Sequence, residues 1–212
     1  MPDDTTKVLN LYAGIGGNRK LWDEVTDVEV TAVEWDEERA RAYSDFHPDD
    51  TVVVDDAHEY LKNHYEEYDF IWSSPPCPTH SKMRRLHPHV DEVYPDMRLY
   101  QEIIFLKHNF EGDYVVENVD PYYEPLIEPL KRGRHSFWSN FHIPPFEGET
   151  QGVRRDTGQT IEELQEHFGF DTTPYNFGDD RDHRKTLNNC VDPELGKHIL
   201  KAATTDRQTT LL

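Results

Sequence analysis

Two short segments carry side chains that could do covalent chemistry together. Cys77 ends the run Ser-Pro-Pro-Cys at 74–77, and Glu117 begins the run Glu-Asn-Val at 117–119. If the strands before these runs are neighbours in a parallel sheet, a nucleophilic thiol and a carboxyl group share one cleft. An accessible thiol at that edge is poised for chemistry, whereas the alternative interpretation makes Cys77 a small buried core residue.

A second group of residues is typical of a nucleotide-like ligand site. The run Leu-Tyr-Ala-Gly-Ile-Gly-Gly at 11–17 is a glycine turn, where small residues let a ligand approach backbone amides. Glu34 ends the next predicted strand, where an acidic side chain can hold ribose hydroxyls. Trp35 follows and can stack on an adenine, although a tryptophan beside a strand is equally typical of a core. Asp55 and Asp56 end the third predicted strand at the same edge.

A parallel sheet would bring these residues together. Short β-rich runs alternate with helix-period stretches as far as residue 119, which is the signature of repeated βαβ units. The predicted strands are 7–12, 28–34, 51–54, 69–73 and 113–117, and the predicted helices are 18–25, 36–46, 58–65 and 95–109. Ligands of such sheets bind at the carboxyl ends of the strands, where the residues described above are expected.

The pattern loosens after Pro121. We predict a strand at 137–141, a short helix at 161–168 and a final helix at 193–203, within a stretch that is otherwise rich in Pro, Gly, Thr and charge. Asp192 is the expected N-cap of the final helix, with Pro193 at its first position.

Length and cysteine content indicate an ordinary intracellular protein. The 212 residues fit one domain with a real core. The two cysteines, Cys77 and Cys190, lie too far apart in too long a chain for a disulfide scaffold. A basic leader with an apolar core is absent from the sequence, as is any apolar run of membrane-spanning length. We therefore expect a cytoplasmic protein that makes no membrane contact.

The charge balance is strongly acidic, with 42 acidic and 22 basic side chains and a net charge of -20. Taken alone, this argues against a nucleic-acid partner, because phosphate binding needs positive charge. We interpret the excess as a salt-adapted surface of the kind that halophiles use. Half of the basic residues lie in four short segments, which can engage phosphates or can be solvated loops: 82–85, 131–134, 154–155 and 181–185.

Six segments together resemble the ordered motifs of the DNA cytosine C5 methyltransferase family. They are similar to its first, second, third, fourth, sixth and tenth motifs: 11–17, 34–36, 56–57, 69–81 around Pro76 and Cys77, 117–119, and 187–191 with 195–197. The resemblance covers roughly the first 140 residues and the last 25, and chance agreement of six ordered motifs is remote. Spacing alone favours a structural role for Cys77, and with the resemblance Cys77 becomes the expected nucleophile.

The resemblance implies a fold, a cofactor and a partner. The fold is α/β, a Rossmann-like S-adenosylmethionine-dependent methyltransferase fold with a mostly parallel sheet and helices on both faces. The cofactor is S-adenosyl-L-methionine, with no metal, and the partner is double-stranded DNA. The family's organisation implies a catalytic and cofactor-binding core at 1–140, a small target-recognition region at 141–185 and a C-terminal segment at 186–212 that returns to the core.

The resemblance also implies a mechanism. Because C5 of cytosine is a poor nucleophile, the Cys77 thiolate adds to C6 and makes an enamine that attacks the methyl group. Glu117 is protonated or hydrogen-bonded at ring N3 and offsets the charge of the addition. Arg134 or Arg132 contacts the ring O2, a match to the eighth motif that is only loose in spacing. The target nucleotide must be flipped out of the duplex.

Further residues are expected to bind ligands by the same resemblance. The cofactor would contact Tyr12, Ala13, Gly14, Gly16, Gly17, Glu34, Trp35, Asp56, Ala57, Pro76, Leu99, Asn189 and Val191. DNA would contact Ser81, Lys82, Arg84, Arg85, Arg154, Arg155, Arg181, Arg184 and Lys185. The loop 79–94 is the expected clamp on the phosphates that flank the flipped base.

The chain departs from the family at two places. Pro78 follows Cys77 where the family usually has Gln, so one polar contact of the loop is missing. The span 141–185 stands where relatives carry a much larger recognition region. So short a span presents few side chains to base edges, and we predict a site of about two to four base pairs. The alternative is that a second subunit of a homodimer supplies contacts.

Two other functions are left open by the sequence. One is the tRNA-methylating branch of the family, which shares the Pro-Pro-Cys and Glu-Asn-Val runs but has a signature that is not evident here. The other is a nucleic-acid-binding relative without turnover, against which the retention of Cys77 and Glu117 counts. A DNA methyltransferase of this kind would serve a restriction-modification pair, a halophilic host or its virus.

Overall fold

The computed structural model describes residues 5–82, 91–146 and 159–210. The strands are β1 (Thr6–Leu11), β2 (Val28–Val33), β3 (Thr51–Val53), β4 (Phe70–Ser73), β5 (Asp113–Val119), β6 (Leu130–Arg132) and β7 (His135–Ser139). The α-helices are α1 (Glu37–Phe46), α2 (Ala57–His64), α3 (Arg98–Asn109), α4 (Ile161–Phe168), α5 (Asp180–Asn189) and α6 (Pro193–Thr210).

The strands form one seven-stranded sheet in the order β3-β2-β1-β4-β5-β7-β6. Strands β1 to β5 pair in parallel, and β7 runs antiparallel to both β5 and β6. The chain builds outward from β1 in one direction and then returns to place β4 on its other side. This reversal creates a crevice at the carboxyl ends of β1 and β4, which is where open α/β sheets bind ligands.

Helices cover both faces of the sheet, because alternate strand residues bury to opposite sides. One face packs Val8, Phe70, Trp72, Val115 and Phe137 against Trp22 and helix α6. The other packs Leu9, Leu11, Ile71, Val116 and Trp138 against helices α2 and α3. The predicted α/β architecture, mostly parallel with helices on both faces, is confirmed.

Most predicted elements are present within a few residues of their predicted ends. Asp36 caps α1, with its side chain accepting from Arg39 N, and Asp192 accepts from Glu194 N at 2.9 Å as the predicted cap of α6. Helix α3 begins at Arg98, three residues later than predicted.

The predicted helix at 18–25 is wrong. The segment consists of turns and a single 3-10 turn, Trp22–Glu24. Its backbone bonds span three residues, from Arg19 N to Gly16 O and from Trp22 N to Arg19 O, where an α-helix would span four. Asn18 is also held by two side-chain bonds to Asn10 of β1, which tie the segment to the sheet.

Two elements beyond residue 121 were not predicted. Strand β6 has only three residues, and α5 carries the sequence Asp-Arg-Asp-His-Arg-Lys-Thr-Leu-Asn-Asn, whose helical stripe has Leu187 as its one large apolar residue. The proposed boundary at residue 185 lies inside α5. Among the residues that the structure describes, none of the helices combines the length and apolar character that crossing a membrane requires.

Candidate active site

Cys77 lies in the loop that leaves the carboxyl end of β4. The loop begins next to β1, where Ser74 N donates to Leu11 O at 3.4 Å. Its turn is closed by the N–H groups of His80 and Ser81, which donate to the Cys77 carbonyl at 3.0 and 3.1 Å. The side chain of Cys77 is partly exposed at this edge, so the thiol is accessible.

Glu117 lies beside this loop because β4 and β5 are parallel neighbours, with Ser73 opposite Val116. The next residue, Asn118, is buried and donates from Nδ2 to the Pro75 carbonyl at 2.9 Å. One side chain of the Glu-Asn-Val run therefore fixes the backbone two residues before Cys77. The Cys77 loop and the strand that presents Glu117 are therefore held together at one edge of the sheet.

The loop continues along the segment after β5 and is pinned to it. Tyr122 N donates to His80 O at 3.0 Å, and the His80 ring Nδ1 lies 2.6 Å from the Tyr123 hydroxyl. Burial lowers the pKa of His80, which favours its neutral ring. Ser81 forms an isolated bridge with Pro121. These contacts hold both ends of the turn that carries Cys77.

Glu117 is nearly buried, with 8% of its surface exposed. Its Oε1 atom lies 2.5 Å from the ring Nδ1 of His135, which is hydrogen-bonding distance. His135 was not among the predicted site residues. The available signal was a histidine next to a predicted arginine, a pattern too common to identify it.

The two arginines predicted to contact the cytosine ring have different surroundings. Arg132 donates to three backbone carbonyls, from Nε to Pro144 O at 3.0 Å, from Nη1 to Lys131 O at 2.9 Å, and from Nη2 to Ile143 O. These bonds engage all three nitrogens of its guanidinium with the protein's own backbone.

Arg134 is connected to Glu117 through one intervening side chain. Its Nε donates to the Nε2 atom of His135 at 3.0 Å, and its Nη2 donates to Asn188 O at 3.0 Å and Cys190 O at 3.5 Å. Of the two arginines, Arg134 is therefore the one linked to the carboxyl group.

The glycine turn follows β1 at the same edge of the sheet. Gly14 and Gly16 have φ angles of 56° and 82°, a left-handed backbone that glycine adopts without a steric penalty. The buried Glu34 closes the turn, with one oxygen accepting from Gly14 N at 2.9 Å and the other from Asp36 N at 3.0 Å. Burial raises the pKa of Glu34, and these two bonds oppose the shift.

The cofactor residues predicted around this turn fit a bound nucleoside. Each Glu34 oxygen has a second lone pair beyond the bond that it already accepts, and can receive a ribose hydroxyl. Trp35 is 71% exposed, which leaves an aromatic face available for stacking rather than packed in the core. Ala13 lies buried in the turn itself, and the partly buried Tyr12 precedes it.

The segment around Cys190 packs under the glycine turn. A Cβ atom at Gly17 would stand 2.6 Å from the Cys190 Cβ and 2.8 Å from Val191 O. A Cβ atom at Gly196 would stand 2.2 Å from Asn18 O. The absence of side chains at both glycines lets the segment that carries Asn189 and Val191 pack closely against the glycine turn.

The other predicted cofactor residues flank the same edge. Asp56 caps α2, accepting from His58 N at 2.9 Å, and its second oxygen lies 3.4 Å from Arg98 Nη1. Ala57 and Leu99 are buried against the sheet, and Pro76 is exposed. In the described ranges no group of three or more His, Cys, Asp or Glu side chains is arranged to hold a metal ion.

Glu102 is a second residue that the sequence did not identify. This carboxylate of α3 is 1% exposed and accepts from the Tyr12 hydroxyl at 2.6 Å, Ser73 Oγ at 2.6 Å and His58 Nδ1 at 2.9 Å. Burial and the charge of Glu102 raise the pKa of Tyr12, and the bond to Glu102 raises that of His58. The signal was an acidic residue on the apolar stripe of a helix, between Leu99 and Leu106.

The predicted DNA-binding residues are only partly described. Lys82 pairs with Asp120, which also binds Lys131 at 2.9 Å. Both lysines lower the pKa of Asp120. On α5, Arg181 pairs with Asp179, Arg184 donates to Gln159 O and Lys185 is exposed. Four predicted residues lie outside the described residues: Arg84, Arg85, Arg154 and Arg155.

Residues 6–122 match the model of the family described as C-5 cytosine-specific DNA methylase. No curated protein matches the chain. Among solved structures, a methyltransferase from Entamoeba histolytica is 11% identical over 97% of this chain and 99% of its own, with a TM-score of 0.62, which shows a shared fold. A DNMT2 mutant from Spodoptera frugiperda is 25% identical over 54% of this chain and 35% of its own, with a TM-score of 0.38.

Proposed function

The chain belongs to the C-5 cytosine-specific DNA methylase family, and from that premise we propose that it methylates C5 of cytosine in double-stranded DNA through a covalent bond between Cys77 and C6. Membership makes it a cytosine methyltransferase with S-adenosyl-L-methionine as its cofactor. The DNA substrate and the covalent route are the proposal. The observation that carries it is the bond from Asn118 to the Pro75 carbonyl, which ties the Cys77 loop to the strand that presents Glu117.

The chemistry that we propose at the cytosine ring uses two side chains of the cleft. The Cys77 sulfur forms a bond to C6, and the electrons of the C5–C6 double bond move toward C5 and the ring. Glu117 supplies a proton or a hydrogen bond to N3, which offsets the negative charge. After C5 has gained the methyl group, a base removes the C5 proton, and the electrons of that C–H bond re-form the C5–C6 double bond and expel Cys77 as the thiolate. Any proton that Glu117 gave to N3 returns to the carboxylate.

Arg134 is the better candidate for the contact with the ring O2. Its guanidinium is joined to Glu117 through His135, whereas Arg132 already donates to three backbone carbonyls. A fixed guanidinium near the carboxyl group would stabilise charge that develops on the ring oxygen.

The cofactor would be held at the glycine turn, where bound S-adenosylmethionine supplies an electrophilic methyl group. Glu34 would receive ribose hydroxyls and Trp35 would stack on the adenine. Gly14, where a Cβ atom would meet no other atom within 4 Å, leaves room for the cofactor to approach the backbone, and Gly16 and Gly17 complete the turn. The remaining predicted contacts are Tyr12, Ala13, Asp56, Ala57, Pro76, Leu99, Asn189 and Val191.

DNA would reach the cleft by base flipping, at a cost of about a few kcal/mol for unstacking. Lys82 at the end of the Cys77 loop and the basic residues of α5 would hold phosphates. Several further expectations belong to the same proposal. The chain would divide at residues 140 and 185, recognise a short DNA site and act as a homodimer. It would have a role in restriction-modification and come from a halophilic source.

Trapping on fluorinated substrate tests the proposal. We expect the protein, with S-adenosylmethionine, to form a denaturation-resistant adduct with duplex DNA that carries 5-fluorocytosine, because fluorine at C5 cannot be removed as a proton. Cys77→Ser should form none, and a tRNA substrate should not replace DNA as methyl acceptor. Cofactor binding without an adduct would overturn the covalent route, and methylation of tRNA alone would overturn the DNA substrate.

A further inference from the structure

His135 lies between Glu117 and Arg134 and contacts both. Its Nδ1 atom is 2.5 Å from Oε1 of Glu117, and its Nε2 atom is 3.0 Å from Nε of Arg134. The imidazole is 7% exposed and the carboxyl-bearing residue 8% exposed. Both ring nitrogens are therefore committed to the two groups proposed to act on the cytosine ring.

The arginine determines which nitrogen of His135 carries the hydrogen. A guanidinium can only donate hydrogen bonds, so Nε2 must accept from Arg134. A neutral imidazole has one N–H group, which then belongs to Nδ1 and donates to Glu117. The Oε1 atom of Glu117 is thus an acceptor for the protein itself.

The strand register brings these side chains to one face of the sheet. His135 is paired with Val119, and Phe137 is paired with Glu117. Because residues two apart share a face, His135 and Glu117 are diagonal neighbours across two adjacent strands. Strand pairing fixes both backbones, so the distance between the side chains is set by rigid elements rather than by a loop.

Arg134 is anchored in turn by the end of helix α5. Its Nη2 donates to the carbonyls of Asn188 and Cys190, where the exposed carbonyls at a helix C-terminus attract a cation. These two residues flank Asn189, which is expected to contact the cofactor. The anchored guanidinium keeps the His135 ring from rotating.

We propose that His135 is a positioning residue that fixes the Glu117 carboxyl group so that Oε1 faces the protein and Oε2 faces cytosine N3. This inference rests on the proposed function, since it assigns the geometry of the acid in that reaction. Without the Nδ1 donor, the carboxyl group can rotate away from the ring, and a small misplacement of a catalytic group is costly in rate.

The variant His135→Leu should lower kcat about tenfold to a hundredfold, because the acid is misplaced in the step that it assists. The KM for DNA and the Kd for S-adenosylmethionine, measured by calorimetry, should stay at the wild-type values. The matched control is His64→Leu, which removes a similar His–Glu pair, Nδ1 to Glu67 Oε1 at 2.8 Å, on the surface of α2 and its following turn. The control should leave kcat unchanged.

Two further variants separate positioning from packing. His135→Asn puts an amide donor where Nδ1 stands and should recover most of the rate, whereas His135→Gln puts the amide nearer the Nε2 position and should not. If the leucine variant does not fold, the comparison of the Asn and Gln variants still tests the positioning role of His135. Equal rates for Asn and Gln, or wild-type kcat for folded His135→Leu, would overturn the inference.

A second readout, measured beside kcat, is the rate of adduct formation on 5-fluorocytosine DNA with cofactor present. Failure of the wild-type protein to form the adduct would count against the proposed function. If the wild-type protein forms the adduct and His135→Leu forms it equally fast, the result counts against the role of His135 and leaves the proposed function standing.

Discussion

Cys77 and Cys190 lie in two segments that both border the predicted active cleft, and their surroundings are opposite. Cys77 follows a strand, in a turn whose backbone is held while the thiol stays partly exposed. Cys190 is 7% exposed in a cluster with Ile15, Ala42 and Leu187. Burial raises its pKa to about 12.

The difference shows that residue type does not assign chemistry in this chain. A thiol acts as a nucleophile when it can ionise and reach a substrate, and a buried thiol does neither. The Cys190 side chain serves packing beneath Gly17, while its carbonyl accepts from Arg134. One cysteine segment is expected to do chemistry, and the other to support the residues around it.

The largest expected effect is on turnover in Cys77→Ser. Methyl transfer should fall by at least about a thousandfold, because a serine hydroxyl is a far weaker nucleophile than a thiolate. Cys190→Ser should keep turnover within about tenfold of wild type, with a lower melting temperature from a polar group in an apolar cluster. Initial rates with labelled cofactor and duplex DNA, beside thermal melts, make the comparison. Loss of activity in the folded Cys190→Ser protein would contradict the distinction between a catalytic Cys77 and a packing Cys190.

Alkylation should separate the two thiols directly. With a pKa of about 12, only about one Cys190 in ten thousand is a thiolate at pH 8. Iodoacetamide should therefore label Cys77 at least about a hundredfold faster in the folded protein, and equally fast in denaturant. Peptide mass spectrometry over time gives both rates. Similar rates in the native state would show that Cys190 is reachable.

The first half of the fold could be predicted because its strands and helices have clear periodicity and its strands are parallel neighbours. The position of Glu117 beside the Cys77 loop follows from that order alone. The segment at 18–25 could not be predicted, since the side-chain bonds between Asn18 and Asn10 of β1 tie it to the sheet against its helical pattern. Strand β6 and helix α5 could not be predicted either, because both are short and charged and have too few apolar residues to show a periodic pattern.

The site was predictable where motifs are local and not where contacts are long-range. The residues of the glycine turn and Glu34 follow from spacing. The contacts of His135 with Glu117 and of Glu102 with Tyr12 join residues 18 and 90 positions apart, and the sequence does not identify which distant residue a histidine or a glutamate will meet. The choice between Arg132 and Arg134 likewise needed their hydrogen bonds.

His47 supports the glycine turn above Cys190 and should make stability depend on pH. Its Nε2 lies 2.3 Å from where a Gly16 Cβ would be, and burial lowers its pKa from 6.5 to about 4. Well above pH 6.5, His47 is neutral in both the folded and the unfolded state, and its contribution to stability is complete. As the pH falls toward 4 the unfolded state gains the proton first, which costs up to about 3 kcal/mol and then levels off.

Urea unfolding of wild type and His47→Asn between pH 7.5 and 4 isolates this contribution, because the carboxylates titrate alike in both proteins. The wild-type free energy of unfolding should fall more steeply through that window. Parallel curves would mean that His47 is protonated without penalty.

Gly17→Ala should have the smallest effect and would test the contact between the two segments most directly. The added methyl would stand 2.6 Å from the Cys190 Cβ and 2.8 Å from Val191 O, an overpacking that costs about 1–3 kcal/mol. Because the glycine turn and the Cys190 segment must then separate, calorimetry should show weaker S-adenosylmethionine binding together with a lower melting temperature. Cys190→Gly in the same protein removes the Cβ contact and should recover part of both losses. Recovery of stability without recovery of affinity would mean that the Cys190 segment packs beneath the turn but does not shape the cofactor site.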